Sequence, residues 1–163
     1  MTLLALSIGS NIDAANNLRS VVQELRSEFG NAFCSRVFES EAVGFEGDNF
    51  LNLVVLAETN TELSIIISYL KQLEEKLGRD RSQEKFSARP IDVDILIYGD
   101  ESGASCGIDL PRPEITENAF VLWPLSEALP DQKHSLTGAL YSELWKDYDK
   151  SAQRLWPIDF DWG

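Results

Sequence analysis

Two aspartates within one apolar segment are the side chains whose spacing best suits chemistry. Asp92 and Asp94 belong to Arg-Pro-Ile-Asp-Val-Asp-Ile-Leu at residues 89–96. Alternate side chains of a strand face the same way, so both carboxylates should share one side while Val93 and Ile95 enter the core. Such a pair needs a shared proton, arginine partners or a cation. Magnesium fits, because it binds one or two carboxylates and adds water and phosphate oxygens. The alternative is a solvated sheet face.

A basic segment precedes this pair, although the 163-residue chain carries a net charge of −13. Lys71 and Lys76 could simply complement the dipole of a helix that ends nearby. The basic side chains beyond Gly78 lack that explanation, and arginine binds phosphate with a two-pronged fork. They are Arg79, Arg81, Lys85 and Arg89. The sequence has neither a P-loop nor the glycine-rich loop of protein kinases. We therefore predict a metal and polyphosphate site of another type.

The acidic composition restricts the possible partners. A surface of this charge repels nucleic acid and anionic lipid. No apolar run could span a bilayer, and the first residues lack the basic region of a signal peptide. We expect a cytoplasmic protein without a membrane partner, in which Cys34 and Cys106 are free thiols. His134, the only histidine, lies in a polar segment and is expected at the surface without a catalytic role.

Hydrophobic patterns predict alternating strands and helices up to residue 98. The predicted strands cover residues 3–8, 33–39, 49–58 and 91–98. The predicted helices cover residues 13–29 and 61–77. Asp13 and Thr61 are the expected N-caps, and Gly78 is the expected C′ residue. The order strand, helix, strand, strand, helix, strand is that of a ferredoxin-like α+β sandwich. Such a fold has a mostly antiparallel sheet with both helices on one face.

The C-terminal third is less regular. We expect a loop with two prolines and a short turn at residues 111–120, a further strand or extended cover at residues 121–125, and a last helix at residues 136–145. No pattern assigns the tail. Because no linker, repeat or low-complexity segment interrupts the chain, residues 1–163 are interpreted as one domain with a C-terminal extension.

An ordered series of short motifs gives a more specific indication. The motifs occupy residues 7–11, 43–44, 50–52, 73–74, 78–81, 89–96, 110–113 and 120–125. In these motifs the chain resembles the 6-hydroxymethyl-7,8-dihydropterin pyrophosphokinases over roughly residues 3–131. The resemblance implies a ferredoxin-like fold. It also implies transfer of pyrophosphate from ATP to a hydroxymethyl pterin, with release of AMP, in folate biosynthesis.

The resemblance also implies roles for individual residues. Asp92 and Asp94 would hold two magnesium ions. Together with these aspartates, the catalytic residues would be Arg81, Lys85 and Arg89. The nucleotide would contact Glu74, Arg79, Arg81, Arg89, Ile95 and Arg112. The pterin would contact Ser40, Val43, Phe50, Asn52, Phe86 and Phe120. Phe50 and Phe120 would stack on the ring, although core packing is the alternative explanation for both. The implied ligands are small molecules only, and we expect a monomer.

Several positions depart from the family pattern. Arg112 stands in place of a histidine, Asn118 and Lys85 in place of arginines, and Phe86 in place of a tryptophan. Glu41 and Lys71 replace a proline and a glutamine. Two other hypotheses therefore stay open. The first is a weakened or non-catalytic relative that binds a pterin or a nucleotide. The second is an interaction domain without a ligand.

Overall fold

The computed structural model describes residues 1–42, 47–78 and 91–163. The strands are β1 (Thr2–Ser10), β2 (Phe33–Cys34), β3 (Val37–Ser40), β4 (Phe50–Thr59), β5 (Asp92–Tyr98), β6 (Gly103–Ser105), β7 (Ile108–Leu110) and β8 (Leu155–Ile158). The helices are α1 (Ala14–Phe29), α2 (Leu63–Lys76), α3 (Glu114–Glu117), α4 (Ala119–Ala128) and α5 (Tyr141–Asp147). No helix in these ranges is long and apolar enough to cross a bilayer.

The main sheet has the strand order β5-β1-β4-β3-β8, and β2 also pairs with β4. Each of these pairings is antiparallel. Strands β6 and β7 form a separate hairpin. The ferredoxin-like α+β arrangement expected from the sequence is confirmed, and β1 lies between the edge strand β5 and the middle strand β4.

One face of the sheet, here called the helix face, packs against α1 and α2. Alternate residues of β1, such as Leu6 and Ile8, join Val93 and Ile95 of β5 in this core. Residues Leu18 and Val22 of α1 and Ile66 and Leu70 of α2 lie in the same cluster. The amphipathic spacing of both helices therefore predicted their packing correctly.

The opposite face, here called the second face, is covered in part by α4 and α5. Its core contains Ala5, Val54 and Leu122 among other residues. The expectation of a strand or extended cover at residues 121–125 is wrong, since these residues lie within α4, which also contains Pro124. A short apolar run does not distinguish a buried strand from a buried helix.

Three further local predictions need correction. The strand expected at residues 33–39 is divided, because the Ser35 hydroxyl accepts a hydrogen bond from the Val54 N–H (2.9 Å) at the break. The N-cap of α2 is Glu62 rather than Thr61. The last helix begins at Tyr141, and the residues before it form a turn closed by a bridge between Lys133 and Leu140. Asp13 and Gly78 occupy the expected helix ends.

The surface position expected for His134 is also wrong. The side chain is 5% exposed. Its Nδ1 accepts hydrogen bonds from the N–H groups of Leu136 and Thr137, each at 3.2 Å. Burial lowers the pKa of His134, which favours the neutral ring that such an acceptor requires. The histidine therefore organises a turn, a contact that local polarity does not reveal.

Candidate active site

A row of residues crosses the second face near one end of the sheet. Gly9 of β1 lies opposite Asp92 of β5 on one side and Asn52 of β4 on the other. Asn52 in turn lies opposite Phe38 of β3. The pairing therefore brings the acidic segment and the expected pterin residues to one end of the sheet, although they are far apart in sequence.

Gly9 lies in the middle of this row and adds no side chain to its surface. A Cβ atom at this position would lie 3.2 Å from Asn52 Oδ1 and 3.8 Å from Phe50 Cδ1. The first distance is tighter than ordinary van der Waals contact, so any larger residue would displace the Asn52 amide. Between its acidic end, at Asp92 and Asp94, and its amide end, at Asn52, the row therefore has only the backbone of Gly9 as its floor.

The acidic end has the geometry that the alternation predicted. Asp92 and Asp94 are partly exposed, whereas Val93 between them is buried in the helix-face core. Burial, followed by the negative charge of Asp92, raises the pKa of Asp94 to about 7, and the Arg112 guanidinium acts in the opposite direction. A carboxyl group in this environment gains from any added positive charge.

Arg112 supplies part of that charge. Its Nη2 lies 3.4 Å from Asp94 Oδ1, and its Nε lies 2.8 Å from Glu114 Oε2. The second contact is an ion pair whose angle falls outside the hydrogen-bond range. A bulge positions Arg112, because Leu96 has no partner on β1 and its carbonyl accepts the Arg112 N–H at 2.9 Å.

Glu74 supports the same strand from the helix face. It is buried near the end of α2, and its Oε2 accepts a hydrogen bond of 2.9 Å from the Val93 N–H. Because β5 is the edge strand among the residues that the structure describes, no described strand would otherwise pair with this N–H. Glu74 thus holds the backbone between Asp92 and Asp94. Its predicted contact with a nucleotide stays a prediction.

The amide end is equally well ordered. Asn52 Nδ2 donates hydrogen bonds to Ser40 Oγ (2.8 Å) and to the Phe38 carbonyl (3.3 Å). Since the carbonyl can only accept, these contacts fix which amide atom is nitrogen, and Oδ1 lies on the side of Gly9. Phe50 pairs with Ser40 in the register and is half-buried. Ser40, Phe50 and Asn52, three of the residues expected to contact the pterin, therefore lie together.

Phe120 lies in the first turn of α4 and packs in part against the second-face core. Both predicted stacking residues are thus half-buried, so each also contributes to packing. Asn118, just before α4, accepts a hydrogen bond of 2.9 Å from Gln153 Nε2. The position where the family pattern has an arginine is therefore engaged by the C-terminal extension.

The structure describes only some of the remaining predicted site residues. The Ile95 side chain lies in the helix-face core, so a nucleotide could reach only its backbone. Lys71 is exposed on α2. The following fall outside the described residues: Val43, Arg79, Arg81, Lys85, Phe86 and Arg89.

The sequence interpretation missed several residues of the site. Gly9 lies within the motif at residues 7–11, so its spacing carried a signal. Glu114 follows Pro113, and its charge alone did not indicate a contact with Arg112. Phe38 and Gln153 carried no local signal, because their contacts depend on strand and tail positions far apart in sequence.

The acidic pair suits magnesium by donor type. Within the described ranges, no three His, Cys, Asp or Glu side chains form a closed metal-binding group. Two carboxylates lie on one face, and the pKa of Asp94 is raised to about 7. Their negative charge is therefore incompletely compensated, and a hard cation would compensate it. Magnesium commonly takes its remaining ligands from water and phosphate, so a two-carboxylate site fits it.

Comparison with known proteins adds family information. The profile of the 7,8-dihydro-6-hydroxymethylpterin-pyrophosphokinase (HPPK) family matches residues 5–130. The 2-amino-4-hydroxy-6-hydroxymethyldihydropteridine pyrophosphokinase of Aquifex aeolicus is 32% identical over 138 residues, which are 83% of this chain and 86% of that protein. The enzyme of the same name from Porphyromonas gingivalis is 33% identical over 136 residues, 80% of this chain and 92% of that protein.

Longer proteins match as well. The folate synthesis bifunctional protein of Chlamydia caviae is 29% identical, and the match covers 85% of this chain but 33% of that protein. The crystal structure of an HPPK-DHPS in complex with substrates has a TM-score of 0.67 at 14% identity, with 92% of this chain and 44% of that chain covered. This structural match supports the fold, and the chain spans less than half of the solved protein.

Proposed function

Because the chain belongs to the 7,8-dihydro-6-hydroxymethylpterin-pyrophosphokinase family, we propose that it transfers pyrophosphate from ATP to 6-hydroxymethyl-7,8-dihydropterin and releases AMP, in folate biosynthesis. The observation that carries this proposal is the row on the second face. It joins a carboxylate pair suited to a metal and polyphosphate to a buried amide suited to a flat heterocycle.

The amide end would bind the pterin. Asn52 is held by Ser40 and by the Phe38 carbonyl, so its Oδ1 is already oriented toward the row before any ligand binds. A fixed acceptor of this kind recognises the donor edge of a planar ring at little entropic cost. Phe50 and Phe120 would provide aromatic faces for stacking. Val43 and Phe86 are proposed to complete this pocket.

The acidic end would bind the nucleotide. Asp92 and Asp94 would hold two magnesium ions, which when bound neutralise phosphate charge. Glu74 would keep their strand in place through the Val93 N–H. Arg112, which contacts Asp94 and Glu114, would offer its guanidinium to a phosphate oxygen. Further contacts with the nucleotide or its phosphates are proposed for the following groups: Arg79, Arg81, Lys85, Arg89 and the Ile95 backbone.

The reaction forms one bond and breaks one. The pterin hydroxymethyl oxygen attacks the β-phosphorus of ATP, the bond from this phosphorus to the oxygen it shares with the α-phosphorus breaks, and AMP leaves with that oxygen. The hydroxyl proton goes to solvent. The protein contributes chiefly by holding the two substrates in line and by concentrating positive charge on the phosphates. The buried, neutral His134 needs no part in it.

The test is an AMP-release assay with purified protein. We expect AMP only when ATP, magnesium and hydroxymethyl dihydropterin are all present. Asp92→Asn and Asp94→Asn should each lower kcat by about 1,000-fold, a loss typical of removing a group that stabilises transition-state charge. Asp109→Asn, at an exposed position of β7, is the matched control and should behave as wild type. Absence of AMP at high protein concentration would refute the proposal.

A weakened, ligand-binding relative is the second candidate. Two contacts favour it, because Arg112 is paired with Asp94 and Glu114, and Asn118 is engaged by Gln153 rather than free for a nucleotide. This candidate predicts calorimetric binding without turnover. Recovery of turnover in the triple variant Lys85→Arg/Arg112→His/Asn118→Arg would support it. Magnesium-dependent ATP binding would exclude the interaction domain without a ligand.

Three properties stay predictions. A single domain over residues 1–163 and a monomer can be tested together by light scattering and limited proteolysis. Cytoplasmic localisation follows from the proposed reaction, which uses soluble small molecules. The net charge of −13 disfavours nucleic acid and anionic lipid as partners.

A further inference from the structure

The C-terminal extension runs back to the active site after α5. Its residues lie outside the range 5–130 that the family profile matches. Three consecutive residues, Gln153, Arg154 and Leu155, contact two separate elements that carry the proposed pterin residues. The extension had no assigned role from the sequence.

The first of these elements is α4, which carries Phe120. The first N–H groups of a helix have no partner within the helix. The side chain of Asn118, the N-cap residue, makes no capping hydrogen bond. Instead, the Ala119 N–H donates to Gln153 Oε1 at 2.8 Å, across 34 residues of sequence. Gln153 Nε2 also donates to Asn118 Oδ1 at 2.9 Å. One side chain of the extension thus fixes the helix start directly before Phe120.

A neighbouring contact reinforces this junction. The Tyr148 hydroxyl donates a hydrogen bond of 2.8 Å to the carbonyl of Glu117, the last residue of α3. The segment from Glu117 to Ala119 is therefore tied to the extension at three points, two through its backbone and one through the Asn118 side chain.

The second element is the end of β3, which carries Ser40. Strand β8 pairs with β3 so that Leu155 lies opposite Ser40. One residue further, the Glu41 N–H donates to the Arg154 carbonyl at 3.2 Å. Arg154 Nη1 also lies 3.1 Å from Glu41 Oε1, although both side chains are largely exposed and their ion pair contributes little. The attachment of the extension to β3 therefore depends mainly on the backbone hydrogen bonds.

We propose that residues 153–155 form a strap that sets the position of the Phe120 wall relative to the Ser40 wall of the pterin pocket, with Gln153 as a positioning residue. This inference rests on the proposed function, because the pterin walls are its premise. A flat ring needs its two walls at a defined separation, and walls held in advance spare the ordering cost on binding. The strap should therefore act on pterin affinity rather than on phosphoryl transfer.

The test compares three glutamine substitutions in the full-length protein. Gln153→Met removes both hydrogen bonds at similar volume. We expect the KM for pterin to rise about tenfold, which corresponds to about 1.4 kcal/mol, while the KM for ATP and kcat change by less than about twofold. Gln153→Glu should keep the wild-type KM for pterin, because a carboxylate can accept hydrogen bonds from the Ala119 N–H and from an Asn118 amide turned by about 180°. Gln23→Met, on an exposed position of α1, should match wild type.

Hydrogen exchange provides a readout that does not require turnover. The Ala119 amide should exchange faster in Gln153→Met than in wild type and Gln23→Met, because its acceptor has been removed. Unchanged exchange would overturn the capping role of Gln153.

The outcomes separate this inference from the proposed function. If wild type releases AMP but Gln153→Met keeps the wild-type KM for pterin, the strap is wrong and the function stands. Equal changes in both KM values, or a change in kcat alone, would also overturn the strap. If wild type releases no AMP, calorimetry with pterin decides. Weaker binding by Gln153→Met than by wild type supports the strap, and equal or absent binding in both overturns it.

Discussion

The two faces of the central sheet differ in what their side chains contribute. On the helix face, the side chains of Leu6, Ile8 and Val93 are buried in one apolar cluster with residues of α1 and α2. On the second face, the same strands present Gly9 and Asp92 to the candidate active site. Neighbouring residues of one strand therefore have different roles, one in the core and one in the candidate site, because successive side chains point to opposite faces.

The difference shows which face stabilises the fold. The helix face gains from apolar burial along its whole length. The second face combines apolar residues under α4 with a carboxylate pair in which burial raises the pKa of Asp94 to about 7. A group that is harder to ionise in the folded protein costs stability when it carries charge. Substitutions on the two faces should consequently separate stability from activity.

The largest effect is expected from truncation on the helix face. Leu6→Ala should lower the free energy of unfolding by about 3 kcal/mol, because it leaves a cavity in a fully buried core. Ser7→Ala, one residue along and on the second face, should cost less than about 1 kcal/mol. Urea denaturation measures both. Equal losses would contradict the division between the faces.

A substitution at the amide end should affect binding more than folding. Asn52→Leu removes the side chain that connects Ser40 with the Phe38 carbonyl. We expect the Kd for pterin to rise about 30-fold, equivalent to about 2 kcal/mol, with the Kd for ATP unchanged. Calorimetry with each ligand provides the measurement, and Asn60→Leu, at an exposed loop position, is the control. A matching loss for ATP would argue against an independent pterin end.

The acidic end should make the metal-free protein less stable as pH rises. The pKa of Asp94 is about 7 in the fold against 3.8 for the free group, so between these values the folded state binds more protons than the unfolded chain. The stability that this group contributes is present at low pH and is lost up to about pH 7. Since 36% of the side chain is exposed, screening by water limits the loss to about 1.5 kcal/mol.

Asp94→Asn tests this pH effect. With EDTA present, the difference between the unfolding free energies of variant and wild type should grow in favour of the variant from pH 4 to pH 7. It should then stay constant. A difference independent of pH would show that Asp94 ionises normally in the fold.

The smallest effect is expected at the floor of the row. Gly9→Ala would place a Cβ 3.2 Å from Asn52 Oδ1, and the amide must shift by a few tenths of an ångström to accommodate it. The KM for pterin should rise about threefold, or about 0.7 kcal/mol, in steady-state assays. An altered KM for ATP with a normal KM for pterin would show that Gly9 belongs to the nucleotide end instead.

Local patterns predicted much of this protein. The alternation around Val93 indicated a common side for Asp92 and Asp94, and helical spacing indicated the packing of α1 and α2. These features depend on residues within a few positions of one another, so a single sequence contains them. The motif series added the family, and with it the proposal of a pterin pocket beside the acidic segment.

Other features depended on contacts between distant residues. Only the tertiary structure showed that Gly9 lies between Asp92 and Asn52, that α4 is helical, that His134 is buried, and that Gln153 caps α4. The sequence by itself determined which residues alternate and which repeat along a helix, because local backbone geometry sets both. Strand order and the path of the extension were decided by hydrogen bonds and burial that form only once the whole chain has packed.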